Sequence, residues 1–423
     1  MAAVMLRPFR LLALALLASG ARAEDKQTDT VWIIGDLHAD VVCARAWVSR
    51  TGLVANLRGP AVDWAWGDPS AELVFMGDYV DKGPQARETL EFVRDLTERF
   101  PDRVHAILGN HELNLLMDRA RRGGRMYLQL ALGAAHPKQY AAWLPEGGDV
   151  TPTQEALLGA LAEVYDRSEF RSVDLSPEQA SGSALKYVPA DQRAAVGAEL
   201  AQWQAAYLDG VASGTPLGDW LESRPIAAVV ADTVFVHGGV PATVAAARGL
   251  GRGREVLGDL NAGLRAHGSE SALPGFVAGN PAVSSLVEYR GLHKDCAEVR
   301  AVLANLNASR IAVGHTPSND VRVLCGGKLL AVDSALGRWF RASGNLYCDG
   351  DKARSSARGR RVCEPMSEQC EGQITRLSRA PGGQPDAADG DGDRPRDAWR
   401  VEIISAEPDM HRPEMPPTDE LRL

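Results

Sequence analysis

The chain has 423 residues, 45% hydrophobic, 24% charged and 6% aromatic, which excludes a collagen-like, fibrous or largely disordered protein and leaves room for a large domain with insertions. A formal net charge of −9 argues against non-specific binding of nucleic acid or anionic lipid through a basic face.

Residues Met1 to Ala23 carry no acid. Arg7 and Arg10 precede the apolar run Leu11–Ala18, and Ala21-Arg22-Ala23 has the small-x-small form of a cleavage site. The run falls well short of the ~20 residues that span a bilayer, so the segment reads as a cleaved export signal rather than an anchor. The expectation is an exported protein, periplasmic or secreted, with no membrane span after cleavage. Removal of residues 1–23 takes the net charge from −9 to −12.

Short apolar strands alternate with helical stretches from residue 30 to about 120 and again from about 226 to 340, the pattern of an α/β fold. Strands are expected at Thr30–Ile34, Leu73–Met76, Val104–Leu108, Thr233–Val236, Arg310–Val313 and Leu329–Val332. A helix is expected over Pro84–Phe100, with Leu90, Val93, Leu96 and Phe100 on one face. Residues 113–225 read as a helical insertion, clearest at Pro189–Leu208. The catalytic domain is taken as 28–345 and residues 346–423 as a Cys-containing extension. That extension reads as low-complexity loop from about 371 to 397, through the run Pro381–Pro395, with Trp399–Ser405 as a last strand. Six cysteines (Cys43, Cys296, Cys325, Cys348, Cys363 and Cys370) permit disulfides in many connectivities, and the crowding of four in the last hundred residues points to stapling there. With no Cys-x-x-Cys pair, zinc binding by thiolates is not expected.

Five strands run into polar residues of one kind. They are Gly35-Asp36-Leu37-His38, Gly77-Asp78-Tyr79-Val80-Asp81-Lys82-Gly83, Gly109-Asn110-His111-Glu112, His237-Gly238-Gly239 and Gly314-His315-Thr316. Each alone has a bland reading: Gly-Asp as a turn or helix cap, a single histidine as a hydrogen-bonded structural residue. Together, past the carboxyl ends of strands in an α/β sheet, they converge on one crevice. Asp, His and Asn there offer the oxygen and imidazole ligands that first-row divalent ions accept.

These motifs resemble those of the calcineurin-like metallophosphoesterase superfamily. Within it the chain is most similar to the phosphoprotein phosphatase branch and its bacterial Shewanella-like phosphatases, on Asp232-Thr-Val-Phe-Val-His-Gly-Gly239, Glu288-Tyr-Arg-Gly291 and Val313-Gly-His-Thr-Pro317. The resemblance covers roughly residues 28–340, apart from much of the insertion. It implies a β-sandwich flanked by helices and a centre of two divalent ions, manganese, iron or zinc. Asp36, His38 and His315 would hold one ion, Asn110 and His237 the other, and Asp78 would bridge them. A metal-bound hydroxide would attack a phosphate monoester in line, with no covalent enzyme intermediate. His111 matches the general acid and Asp81 the carboxylate that orients it, with Glu112 in support. Arg290, Lys82 and Asn110 would contact the phosphate.

Two positions depart from the family pattern. Lys82 stands where the branch has arginine, keeping the charge but losing the two-pronged geometry, so Lys82→Arg is expected to lower KM. Ala39 stands where glycine is usual, with little effect expected on the ligands. The motifs leave open phosphodiester or dinucleoside polyphosphate hydrolysis, and a metal-binding module without catalysis. They also leave open the choice among phosphoserine, phosphothreonine, phosphotyrosine and small phosphorylated compounds. Nothing in the sequence fixes an oligomeric state.

Overall fold

The first strand, β1 (Thr30–Ile34), is buried along its whole length, because Val31 and Ile33 face one way and Trp32 and Ile34 the other, and both sides are covered. Such a two-sided apolar strand belongs in the middle of a sheet with layers on each face. A computed structural model describes residues 28–121, 142–143, 190–191, 193–343, 354–355, 361–362, 369–379 and 399–406. In it β1 pairs in parallel with β2 (Ala71–Phe75), which pairs in parallel with β3 (Val104–Ala106).

A second five-stranded sheet follows. β4 (Ala227–Val230) and β5 (Thr233–Val236) are antiparallel, and β5 is parallel to β6 (Arg310–Val313). β7 (Arg322–Leu324) turns back onto β8 (Leu329–Ala331), which lies parallel to β6. The two sheets share an apolar cluster that includes Val31, Ile33, Val74, Phe235, Ala312 and Leu330. That shared cluster makes the fold an α/β sandwich, and helices cover the outer faces.

Helix α1 (Val41–Thr51) starts where the Asp40 carboxylate accepts from the Cys43 N–H at 3.1 Å and ends at Gly52, in the left-handed region. Helix α2 (Ala86–Arg99) buries Leu90, Val93 and Leu96, the stripe expected from spacing. Helix α3 (Asn110–Arg121) begins directly after β3, so Asn110, His111 and Glu112 occupy its first turn. Within residues 113–225 the described helices beyond α3 are α4 (Arg193–Gly210) and α5 (Pro216–Ser223), the latter capped by Thr215 Oγ1 accepting from the Gly218 N–H at 3.0 Å. The rest of that insertion, the 1–23 segment and residues 380–397 lie outside the described residues, while residues 373–379, expected as loop, form a strand because Ile374 and Leu377 are buried.

The chain returns to the first sheet at its far end. β9 (Gln373–Arg379) pairs antiparallel with β1, and β10 (Trp399–Ser405) pairs with β9, so the sheet order is β10-β9-β1-β2-β3. The Cys43–Cys370 disulfide ties this return to α1 across 327 residues of sequence. The segment read as an extension thus supplies two strands of the first sheet, and its staple reaches out of the tail. A second bridge, Cys296–Cys325, joins α8 (Cys296–Leu306) to the β7–β8 turn; between α5 and α8 run α6 (Gly253–His267) and α7 (Pro281–Glu288). No helix among the described residues is long and apolar enough to cross a membrane.

Candidate metal centre

The carboxyl ends of β1, β2, β3, β5, β6 and β8 open onto one crevice, and every residue expected to bind metal lies just past one of them. Turning the chain there strains it: His38, Asp78, Asp81, Lys82 and His315 have φ of 44°, 54°, 66°, 64° and 61°. Left-handed backbone at a non-glycine residue costs ~1–3 kcal/mol and persists where the surroundings over-determine it. Much of that determination comes from Glu112. Its buried carboxylate accepts from the backbone N–H groups of Asp78 (2.7 Å), Tyr79 (2.7 Å), Val80 (3.2 Å) and Gly109 (2.9 Å). Two glycines are fixed by close approach, since a Cβ on Gly109 would come within 2.2 Å of Asp78 Oδ1 and one on Gly314 within 2.4 Å of Asp36 Oδ1.

Asp78 is the centre of the arrangement. It belongs to two ligand clusters, His38–Asp78–His111 and Asp78–His237–His315, each with potential ligand atoms within 4.8 Å of one another. One carboxylate oxygen lies 3.7 Å from His38 Nε2 and the other 3.2 Å from His237 Nε2. The Asn110 amide lies between these groups, one of its terminal atoms 3.1 Å from His237 Nε2 and 3.0 Å from His315 Nδ1 and directed at the Asp78 carboxylate, to which the amide N–H can donate. The His315 imidazole therefore groups with Asn110 and His237, not with Asp36 and His38. Its backbone N–H reaches Asp36 Oδ2, at 3.0 Å.

The residues present fit a divalent cation. Asp36 Oδ1 is buried with no hydrogen-bond donor, as is Oδ2 of its neighbour Asp333.

The electrostatics record the same crowding. Burial raises Asp36 well above the usual carboxylate range, and Asp333 beside it adds to the rise. Burial also lowers His38 well below its ordinary value, followed by the charge of Lys82. On His237 burial opposes the charged form, yet Asp78 and Asp36 outweigh it and the pKa is pushed up to about 10. His315 is pushed down to about 3, by burial first and then by His237.

His111, a member of the first cluster, has Nδ1 2.6 Å from Asp81 Oδ2, and its backbone N–H donates to Asp78 Oδ1 at 3.1 Å. Lys82 Nζ lies 3.2 Å from His38 Nε2 and 3.7 Å from the centre of the Phe340 ring. Arg290 is exposed and close enough to act electrostatically on His315. Two site residues were not singled out in the sequence. Asp333 follows β8 as Asp36 follows β1, so the same strand-then-acid rule would have found it. Phe340, on the short helix α9 (Arg338–Ser343), packs edge-on against His38 at 4.3 Å and has no motif to announce it.

Comparison with known proteins agrees with the motifs. Residues 30–181 match the family described as calcineurin-like phosphoesterase. An uncharacterized protein of Schizosaccharomyces pombe is 24% identical over 324 residues, covering 74% of this chain and 75% of that one. A symmetrical bis(5'-nucleosyl)-tetraphosphatase of a Janthinobacterium species is 50% identical over 48 residues, only 11% of this chain and 16% of that one. Among solved structures, a cold-active protein-tyrosine phosphatase of a psychrophilic Shewanella species is 19% identical, covering 83% of this chain and 76% of that one at a TM-score of 0.48.

Proposed function

We propose that the chain, whose residues 30–181 match the calcineurin-like phosphoesterase family, is an exported, metal-dependent phosphatase that hydrolyses phosphate monoesters of a phosphoprotein or a small compound. The observation that carries the reading is the Asp78 carboxylate, shared by two clusters of potential ligands, in the first of which His111 is turned by its contact with Asp81. Asp36, His38 and Asp78 would hold one divalent ion and Asp78, Asn110, His237 and His315 the second. When bound, such a pair supplies an activated water and neutralises charge on the phosphoryl oxygens.

The chain's own residues do the rest. Asp81 fixes the His111 ring through Nδ1 and turns Nε2 toward the cluster, where it can hand a proton to the leaving oxygen. Lys82 and Arg290 supply positive charge for the substrate phosphate. Glu112 keeps the Asp78 loop in its strained shape. The monoester reading draws on the phosphatase-branch motifs around His237, Arg290 and His315. A second reading, hydrolysis of dinucleoside polyphosphates, is favoured by the short stretch of likeness to the Janthinobacterium tetraphosphatase.

The test compares turnover of an aryl phosphate monoester with that of the matching diester, with manganese added, for the unsubstituted chain and His111→Ala. Monoester turnover well above diester, and lost in the variant, supports the reading. Dominant diester turnover overturns it in favour of phosphodiesterase activity.

A further inference from the structure

Beside the metal centre lies a group of donors that the proposed chemistry does not use. His293 closes a short turn after Arg290, and both of its ring nitrogens are buried without a hydrogen-bond partner. Arg322, on β7, donates from Nη2 to the Thr316 carbonyl at 2.9 Å, which places it one residue from His315. Arg322 Nε and Thr316 Oγ1 are also buried and unpartnered. The Cys296–Cys325 disulfide holds the two segments together, because each cysteine stands three residues beyond one of these side chains, Cys296 after His293 and Cys325 after Arg322. Cα atoms of the pair are 5.3 Å apart.

Unsatisfied buried donors are costly, at ~1–3 kcal/mol each, and a cluster of them beside a reactive centre marks a place where a ligand completes the bonding. Here the donors are a guanidinium, an imidazole and a hydroxyl, with the exposed Arg290 guanidinium at the near edge. Both arginines lie near enough to His293 to help burial push its pKa down to about 4, so the ring is neutral at pH 7 and offers an N–H rather than a third cation. Two guanidiniums and several single donors suit a tetrahedral dianion with three terminal oxygens better than a planar carboxylate with two.

We infer that Arg322, His293 and Thr316, with Arg290 shared between the two, form a second anion subsite that binds a non-scissile phosphoryl group, so that the preferred substrates are small compounds carrying two phosphates. This deepens the phosphatase reading and rests on it for the position of the scissile phosphate.

The test measures binding rather than turnover. The full chain carrying His111→Asn, loaded with manganese, is titrated calorimetrically with a hexose bisphosphate and with the corresponding hexose monophosphate. The bisphosphate should bind about tenfold more tightly, a modest return for an added charge-assisted contact. Arg322→Gln should bring the ratio of the two affinities close to one. Arg248→Gln, a change in an exposed ion pair with Asp259 far along the sequence, should keep it. Should Arg322→Gln fail to fold, His293→Phe carries the same comparison. Equal affinities with Arg322 and His293 in place, or a preference that survives their replacement, overturns the subsite. Failure of the phosphatase reading shows separately, as absent aryl phosphate turnover by the unsubstituted chain.

Discussion

Nδ1 of His111 and Oδ2 of Asp81 lie 2.6 Å apart, a contact that fixes one face of the imidazole and leaves Nε2 3.8 Å from Asp78 Oδ2. If the pair acts as proposed, Asp81→Asn keeps the shape and weakens control of the ring's proton. The expected result is a fall in kcat of ~10–100-fold with KM changed little. Steady-state kinetics on an aryl phosphate checks it, and a loss carried wholly by KM would contradict the role.

Glu112 gathers four backbone N–H groups, and Glu112→Gln replaces one accepting oxygen with a donor that must face them. Stability should fall by ~1–3 kcal/mol through the lost and opposed hydrogen bonds. Urea unfolding with chelator present isolates this effect from metal binding. An unchanged midpoint would mean the Asp78 loop holds its strained shape without Glu112.

Much of the site was legible because each ligand follows a strand whose apolar run is short and bounded by glycine. Thr30–Ile34, Thr233–Val236 and Arg310–Val313 fall where expected, and the ligands after them meet. The partition of ligands was less legible. It depends on where the His315 ring lies among its neighbours, with Nδ1 3.0 Å from Asn110, and neither residue type nor spacing encodes that. β9 was missed because Gln373-Ile-Thr-Arg-Leu-Ser-Arg is mostly polar and its pairing partner β1 lies more than 330 residues earlier. Its burial comes from Ile374 and Leu377, one packing on each side of the sheet. The cysteine count raised the prospect of staples, yet pairing follows the three-dimensional return of the chain to β1, which spacing does not encode.

Reducing the Cys43–Cys370 bridge should loosen that return. Cys370→Ser is expected to cost ~2–5 kcal/mol, the usual contribution of a native disulfide. Peptide mapping without reductant checks the pairing, and denaturant unfolding with and without reductant checks the energy. Equal stability of the variant and the unreduced parent would show that β9 is held by its ladder alone.

His293 gives a pH dependence of known sign. Burial, then Arg322 and Arg290, lower its pKa from 6.5 to about 4 in the folded chain. The neutral ring's contribution is therefore complete above 6.5 and is lost as pH falls through that window toward 4. In metal-free protein, His293→Gln should lessen the drop in urea midpoint between neutral and mildly acidic pH. Identical pH profiles for variant and parent would place the ring in a more solvated setting.

The most direct measurement counts manganese bound per chain by equilibrium dialysis, with aryl phosphate turnover read on the same samples, for the unsubstituted chain and for Asp78→Asn. A centre built on a shared Asp78 predicts two ions per chain, activity that rises as the second binds, and loss of both in the variant. Binding of two ions that survives Asp78→Asn, or full turnover in chelator, would contradict it.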